Sequence, residues 1–526
     1  MAGRFRESML WVHTWVGVVL GGFLFFIFWM GTLAVFDQEI DRWMMPMTRL
    51  SPAQAHYSAD EAWRQTWGAA SKDWQIYPPT ERTPVAIVEV AREEIRREGL
   101  LPGQAESNAI KEFHYIDPST GAQLPDPGTL GGQGFFFPLH WNLLITTNDA
   151  GIWIVGAAGM AMLLLIVSGV FVHRQIFANF FTLRAHKKSG RVLLDLHNVL
   201  GVLGLPFHFV ITFSGLAIWF YLYFPAAWQM AYGGSHSAFY EETRARFRRP
   251  AIEAPGEIAS LDAMIAKAEE TWGAGKAEFV HVWHPADANA FVEIYRSYAT
   301  DIPLDPRVIY FDGATGEILH YDFVRPIAKV QRFIAGLHFI RFRHWTLRWI
   351  YFVLGLTGCA LIATGALFWL ESRRKLHAGG SSPSIRVVEG LTIGAVTGVV
   401  LATAAFLIAN RVLPLHVENR ARIEVWAFFL VWAATFLHAW LRPSRAWSEQ
   451  CWAIAVAGAT AFVLNWITTG DHLVRTVSEA NWPVAGVDCA LLTGSAVAIW
   501  TALALGRSPA GRRIDREPHE SAARGA

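Results

Sequence analysis

The stretch 194–216, LDLHNVLGVLGLPFHFVITFSGL, is long and apolar enough to cross a bilayer, yet it carries two histidines, His197 and His208. About 20 apolar residues span the hydrocarbon core. An ionisable side chain inside such a run is costly enough to mark a functional position. The two imidazoles are eleven residues apart. On a continuous α-helix that is about 1100°, about 20° beyond three turns, so they share a face, about 16 Å apart along the axis. The spacing suits two sites at two depths.

Around this stretch lie seven more runs of spanning length, giving eight at about 10–36, 150–173, 193–223, 345–370, 387–410, 423–441, 450–470 and 483–506. The first follows MAGRFRES and is too long for a signal-peptide core, so it reads as a helix. Hydrophobic residues make up 53% of the 526 and charged residues only 17%. The chain is therefore expected to be a mainly α-helical polytopic membrane protein in contact with the lipid bilayer. A formal net charge of +1 gives no ground for a nucleic-acid partner. The three cysteines form neither CxxC nor CxxCH, so thiolate zinc and covalently attached haem are not expected.

Basic residues alternate between connections. Arg4 and Arg6 precede the first run, and Arg174, Arg184, Lys187, Lys188 and Arg191 follow the second. Arg373, Arg374, Lys375 and Arg386 follow the fourth, Arg442 and Arg445 the sixth, and Arg507, Arg512, Arg513 and Arg516 the last. These connections are assigned to the cytoplasm, with both termini. Arg411, Arg420 and Arg422 are a mild exception on the outer side. The divisions are a first helix in 1–36, outer segments 37–149 and 224–344, helices two and three in 150–223, and helix four in 345–376. A four-helix extension over 387–506 and a cytoplasmic tail over 507–526 follow. Each outer segment has a helix-like stretch, SADEAWRQTWGAA or ASLDAMIAKAEETWG, followed by strand-like runs, PVAIVEV or AFVEIYRSY.

The first 376 residues contain a duplication. FHYIDPSTGAQL (113–124) answers VIYFDGATGEIL (308–319), a hairpin pattern in which Asp117 matches Asp312, Thr120 matches Thr315 and Gly121 matches Gly316. The turn position gives both aspartates a backbone role rather than an acid's. His13 precedes Gly17 by four and Gly31 by eighteen; His197 precedes Gly201 and Gly215 by the same intervals. PLHWNLL with His140 answers GLHFIRF with His338, each shortly before a membrane run. His208 has no counterpart, because Leu24 occupies its place, and His173 aligns with Trp369.

The D-x-x-T-G hairpin and the H-x-x-x-G helix start resemble the PepSY-associated transmembrane family over about 8–376. The resemblance implies two periplasmic α+β PepSY-like domains on a bacterial inner (plasma) membrane protein. It also implies an iron-regulated, haem-containing oxidoreductase that reduces ferric siderophores. Some relatives carry a flavodoxin- or ferredoxin-reductase-like domain; this chain shows none, which leaves a cytoplasmic reductase or a quinol as electron donor.

Imidazole is a good axial ligand of haem iron, and a helical bundle can hold haem between facing helices. Haem b, two groups at two depths, is the expected cofactor. His13, His173 and His197 are candidates for the cytoplasmic-side site. His140, His338 and His208, with His344 beside them, compete for the outer one; the pairing is open. Gly17, Gly31, Gly201 and Gly215 would admit either a macrocycle or a neighbouring helix. No GxSxG, HExxH or Walker A sequence supplies a different catalytic centre. The competing readings are a non-enzymatic PepSY-type binding or regulatory protein, and a transporter. The two copies share one orientation, unlike the inverted repeats of many transporters.

Overall fold

The computed structural model describes residues 2–50, 57–66, 68–71, 73–91, 111–173, 183–184, 189–235, 238, 247–304, 307–322, 326–340, 343–376 and 382–507. Arg174, Lys187, Lys188 and nearly all of the basic C-terminal tail lie outside these residues. In chain order the main helices are α1 (Ala2–Ala34), α2 (Asp37–Met44), α3 (Ala59–Gln65), α4 (Phe136–Trp141), α5 (Ala150–Val172), α6 (Ser189–Leu203), α7 (Leu205–Ile218), α8 (Leu261–Trp272), α9 (Pro326–Gly336), α10 (Trp345–Leu376), α11 (Pro383–Ile393), α12 (Val399–Val412), α13 (Arg420–Leu441), α14 (Ala446–Thr469) and α15 (Trp482–Gly506). Among the described residues seven spans are long and apolar enough to cross a membrane, and the bent pair α6–α7, counted as one span, makes an eighth. The chain is a multi-pass membrane protein.

The opening stretch is not one straight helix. α6 and α7 meet at an angle of 64° across Gly204. Pro206 explains the break: it has no N–H to bond one turn back, and its ring crowds the carbonyl of residue 202. The shared face and the ladder of about 16 Å expected for His197 and His208 assumed an unbroken helix; the bend interrupts it, although both side chains line one cavity.

Two compact units divide the chain. The first comprises residues 1–46, 128–212 and 350–526. Within it, α11 and α12 join through a π-helical turn, Gly394–Gly398, and form its most enclosed span. The extension holds α2 through polar contacts. Trp43 Nε1 donates to Asp488 Oδ1 at 2.8 Å. Arg411 donates to the Met44 carbonyl at 2.5 Å and lies 4.8 Å from the centre of the Trp43 ring. Glu424, fully buried, accepts from Asn410 at 3.0 Å, pairs with Arg420 at 3.2 Å and takes the Thr129 hydroxyl. Arg411 and Arg420 are thus interior partners (8% and 3% exposed) rather than loop charges. Their place on the expected outer side reflects these partners, not a topology signal.

The second unit comprises residues 47–127 and 213–349. Its strands are β1 (Asp73–Tyr77), β2 (Ala86–Ala91), β3 (Lys111–Ile116), β4 (Ala277–Trp283), β5 (Phe291–Arg296), β6 (Val308–Asp312) and β7 (Ile318–Tyr321). Where the sequence reads as two separate outer domains, the structure has one antiparallel sheet, ordered β3-β2-β1-β4-β5-β6-β7. β1 and β4 join the halves, with Asp73 opposite Trp283 and Ile76 opposite Val280. Each would otherwise be an edge with unpaired backbone groups, and the pairing removes both edges. One core serves both halves: Trp74, Ile76, Val280 and Val282 pack with Ala62 of α3 and Met264 of α8.

The matched hairpins close in the same way. Asp117 Oδ1 accepts from Ser119 N–H at 2.8 Å, and Asp312 Oδ1 from the N–H groups of Ala314 and Thr315 at 3.0 Å. Gly121 and Gly316 have φ +68° and +69°, a left-handed conformation that glycine adopts without strain. Both aspartates hold turns, as their position in the sequence suggests.

Candidate functional site

Within the first unit a cavity of about 550 Å³ opens between α1, α5, α6, α10 and the extension. His13 and His197 both line it, with ring centroids 6.2 Å apart and planes at 76°. Each ring is fixed on its far side by a backbone carbonyl. His13 Nδ1 lies 3.0 Å from the Leu165 carbonyl, and His197 Nδ1 lies 2.9 Å from that of Leu361. A carbonyl can only accept, so Nδ1 carries the proton and Nε2 keeps its lone pair. This is the orienting bond that metal-ligating histidines typically make.

A glycine makes room for each ring. A Cβ built on Gly169 would lie 3.2 Å from His13 Cε1, and one on Gly365 only 2.9 Å from His197 Cε1. The two arrangements superimpose in sequence: LIVSG (165–169) seats His13 and LIATG (361–365) seats His197. These seats were missed in reading the sequence, although the repeat is visible in it. Gly17 and Gly201, expected to admit a macrocycle or a helix, meet Leu165 and Leu361 side chains at 3.7 and 3.4 Å. Both also line the cavity, so they serve helix packing and leave its wall low at once.

His140 repeats the device at the other end of α1. Its Nδ1 is 2.9 Å from the Ile27 carbonyl, and a Cβ on Gly31 would lie 2.6 Å from its Cε1. In the second unit His338 sits on Gly215 in the same manner, at 2.8 Å. The glycine eighteen residues after each helix-start histidine is thus the seat of another histidine.

His208 and His173 differ. His208 points Nε2 at the Leu354 carbonyl, 3.3 Å away, and its Nδ1 is buried with no hydrogen-bond partner among the described residues. It lines the same cavity as His13 and His197, from beyond the bend at Gly204. His173, at the C-terminus of α5, lines the cavity with its Nε2 buried and likewise without such a partner. The extension closes the cavity: Ala395, Trp432 and Phe436 line it, and Trp432 stacks on Phe26 of α1 at 4.8 Å.

The donor set can be tested against a haem. Two imidazoles on opposite sides of one metal place their ring centres about 6 Å apart, from a metal–nitrogen bond of about 2 Å. The observed 6.2 Å agrees. No cluster of three or more metal-ligating side chains occurs among the described residues. A macrocycle supplies its own four nitrogens and needs only two ligands from the protein. Most of the remaining wall is apolar, as a planar macrocycle requires, with Thr14, Asn198 and Thr392 among its few polar side chains.

Comparison with known proteins gives two findings. The family model described as the PepSY-associated TM region matches residues 10–372. A Pseudomonas aeruginosa protein, "Uncharacterized protein PA4219", is 24% identical over 413 residues, which cover 72% of this chain and 98% of that one.

Proposed function

The chain belongs to the PepSY-associated transmembrane family, and from that membership we propose that it is a b-type haem electron-transfer protein of the inner membrane. The observation that carries the proposal is the His13–His197 pair, 6.2 Å apart in a shared cavity with both Nδ1 atoms committed to backbone carbonyls. Bound there, a haem would supply reversible one-electron chemistry at its iron. The protein's part is to orient two Nε2 lone pairs, to offer a mainly apolar wall, and to leave room for the rings at Gly169 and Gly365.

His140, His338 and His208 are the candidates for a second haem, and each sits against a glycine, Gly31, Gly215 and Gly204 in turn. Gly31 lies eighteen residues beyond His13 on α1, about 27 Å along the helix. That nearly matches the hydrocarbon thickness, so two such sites would serve the two faces of the membrane. The basic-residue pattern supports a reading with the basic ends in the cytoplasm and the sheet unit in the periplasm. Electrons would come from a quinol or a cytoplasmic reductase and pass to a ferric siderophore outside. There each acceptor iron goes from Fe(III) to Fe(II) with one electron. The lower charge weakens its hold on hard oxygen chelators and releases it.

The optical spectrum of the purified protein tests the proposal. A Soret band, with split α and β bands on dithionite reduction, is the expected result. Protein made with ample haem and lacking any b-type signal would overturn it and leave a PepSY-type binding role.

A further inference from the structure

We infer that His173 and Trp369 are paired hydrogen-bond donors for the two propionate carboxylates of the haem between His13 and His197, an inference that rests on the haem reading of that cavity. Four residues separate His173 from Gly169, the seat of His13, and four separate Trp369 from Gly365, the seat of His197. Four residues advance about 6 Å along a helix and return to nearly the same face. Both side chains therefore lie one turn beyond the imidazole pair, toward the end of α1 that carries Arg4 and Arg6, and both line the cavity.

Each brings a buried ring nitrogen, His173 Nε2 and Trp369 Nε1, that has no hydrogen-bond partner among the described residues. Native structures rarely leave such groups unpaired, so two in one cavity call for an explanation. An indole N–H can only donate, so whatever satisfies Trp369 must be an acceptor. A haem's only strongly polar peripheral groups are its two carboxylates, and a buried carboxylate needs such donors in return. The local charge suits an anion: the Arg373 guanidinium lies 5.6 Å from the Trp369 ring centre, and Arg6 Nε donates to the Val172 carbonyl beside His173. His173 then need not be an axial ligand. The duplicated fold holds both propionates with two different residues at one repeated position.

The test compares the haem-loaded protein with His173→Phe, Trp369→Phe and the double variant. Haem-to-protein ratio and the low-spin spectrum report the axial ligands, the propionate bending band in resonance Raman reports the hydrogen bonds, and a redox titration reports the midpoint potential. The low-spin spectrum should persist in every variant. The propionate band should shift in each single variant and further in the double. With both donors removed, the less neutralised carboxylates favour the ferric state about tenfold, a fall of about 59 mV for a one-electron couple. Trp369→His, which copies the first repeat, should restore the wild-type band. If Trp369→Phe loses haem, recovery by Trp369→His supports the assignment and failure to recover overturns it. An unmoved propionate band in the haem-loaded double variant, or a high-spin spectrum in His173→Phe, also overturns it. A wild-type protein with no haem would instead refute the haem reading itself.

Discussion

Asp60 and Asp262 exchange places at the starts of α3 and α8. Asp262 accepts from Ser58 Oγ at 2.6 Å and Ala59 N–H at 2.7 Å, at the start of α3. Asp60 accepts from Ser260 Oγ and Leu261 N–H, both at 2.6 Å, at the start of α8. Each copy of the duplicated unit thus caps the helix of the other. Because helix N-caps contribute about 0.5–2 kcal/mol, Asp60→Ala and Asp262→Ala should each destabilise the sheet unit by about that amount. Thermal unfolding followed by the sheet's circular dichroism checks this; a loss in one variant alone would show that the exchange is not reciprocal in energy.

The membrane spans, the hairpins with Asp117 and Asp312, and the paired histidines were legible because each rests on short-range pattern or on repetition. Two features were not. The joining of β1 to β4 links strands about 200 residues apart, and nothing in an alternating strand states which edge it will meet. The bend at Gly204 was signalled by Pro206, yet apolar continuity through the stretch masked it, so the spacing argument for His197 and His208 rested on a helix that is not continuous. The helix-seat motifs LIVSG and LIATG were visible but inconspicuous, since apolar runs with a small residue are common in membrane helices.

The two hairpin aspartates should differ in acid. Hydrogen bonds from Ser119 hold the Asp117 carboxyl below the usual carboxylate range. Burial opposes the ionised form of Asp312, but Arg249, 2.6 Å away, and the N–H groups of Thr315 and Ala314 outweigh it and lower its pKa too. A depressed folded-state pKa gives stability that is present above the unfolded value, about 3.9, and is lost as pH falls through the folded value. Asp312→Asn should therefore cost about 1.5–3 kcal/mol at neutral pH, the range for hydrogen bonds to charged groups. The gap from wild type should stay constant down to about pH 5 and close below about pH 4. Melting temperatures of both proteins across this range measure it. Asp117→Asn, with no cationic partner of that kind among the described residues, should show a smaller gap.

The extension's buried pair makes an asymmetric prediction. Glu424 is fully buried and Arg420 is 3% exposed. Removing one partner of a buried pair leaves a charge without compensation, at about 3–5 kcal/mol. Arg420→Leu should therefore lower the folded yield in detergent sharply. Glu424→Gln, which retains hydrogen-bonding capacity toward Asn410 and Thr129, should cost less. Size-exclusion recovery after heating separates the two; equal losses would show that packing, not charge, sets the stability there.

The sharpest prediction concerns which histidines act together. His13 and His197 face one cavity at 6.2 Å, so His13→Ala and His197→Ala should abolish the same low-spin signal, and the double variant should lose no more than either single one. His208 lines that cavity too, but its Nε2 is turned to the Leu354 carbonyl, so His208→Ala should leave that signal in place. The glycine seats sharpen the contrast. A methyl at Gly365 would lie 2.9 Å from His197 Cε1 and must push the ring from its place, whereas one at Gly17 meets only the Leu165 side chain at 3.7 Å. Gly365→Ala should therefore reduce haem content or convert part of it to a high-spin form, and Gly17→Ala should leave it near wild type. Haem-to-protein ratios and reduced-minus-oxidised spectra of the six variants decide the matter. Loss of the signal in His208→Ala with retention in His13→Ala would move the ligand assignment from the repeat to the unrepeated histidine.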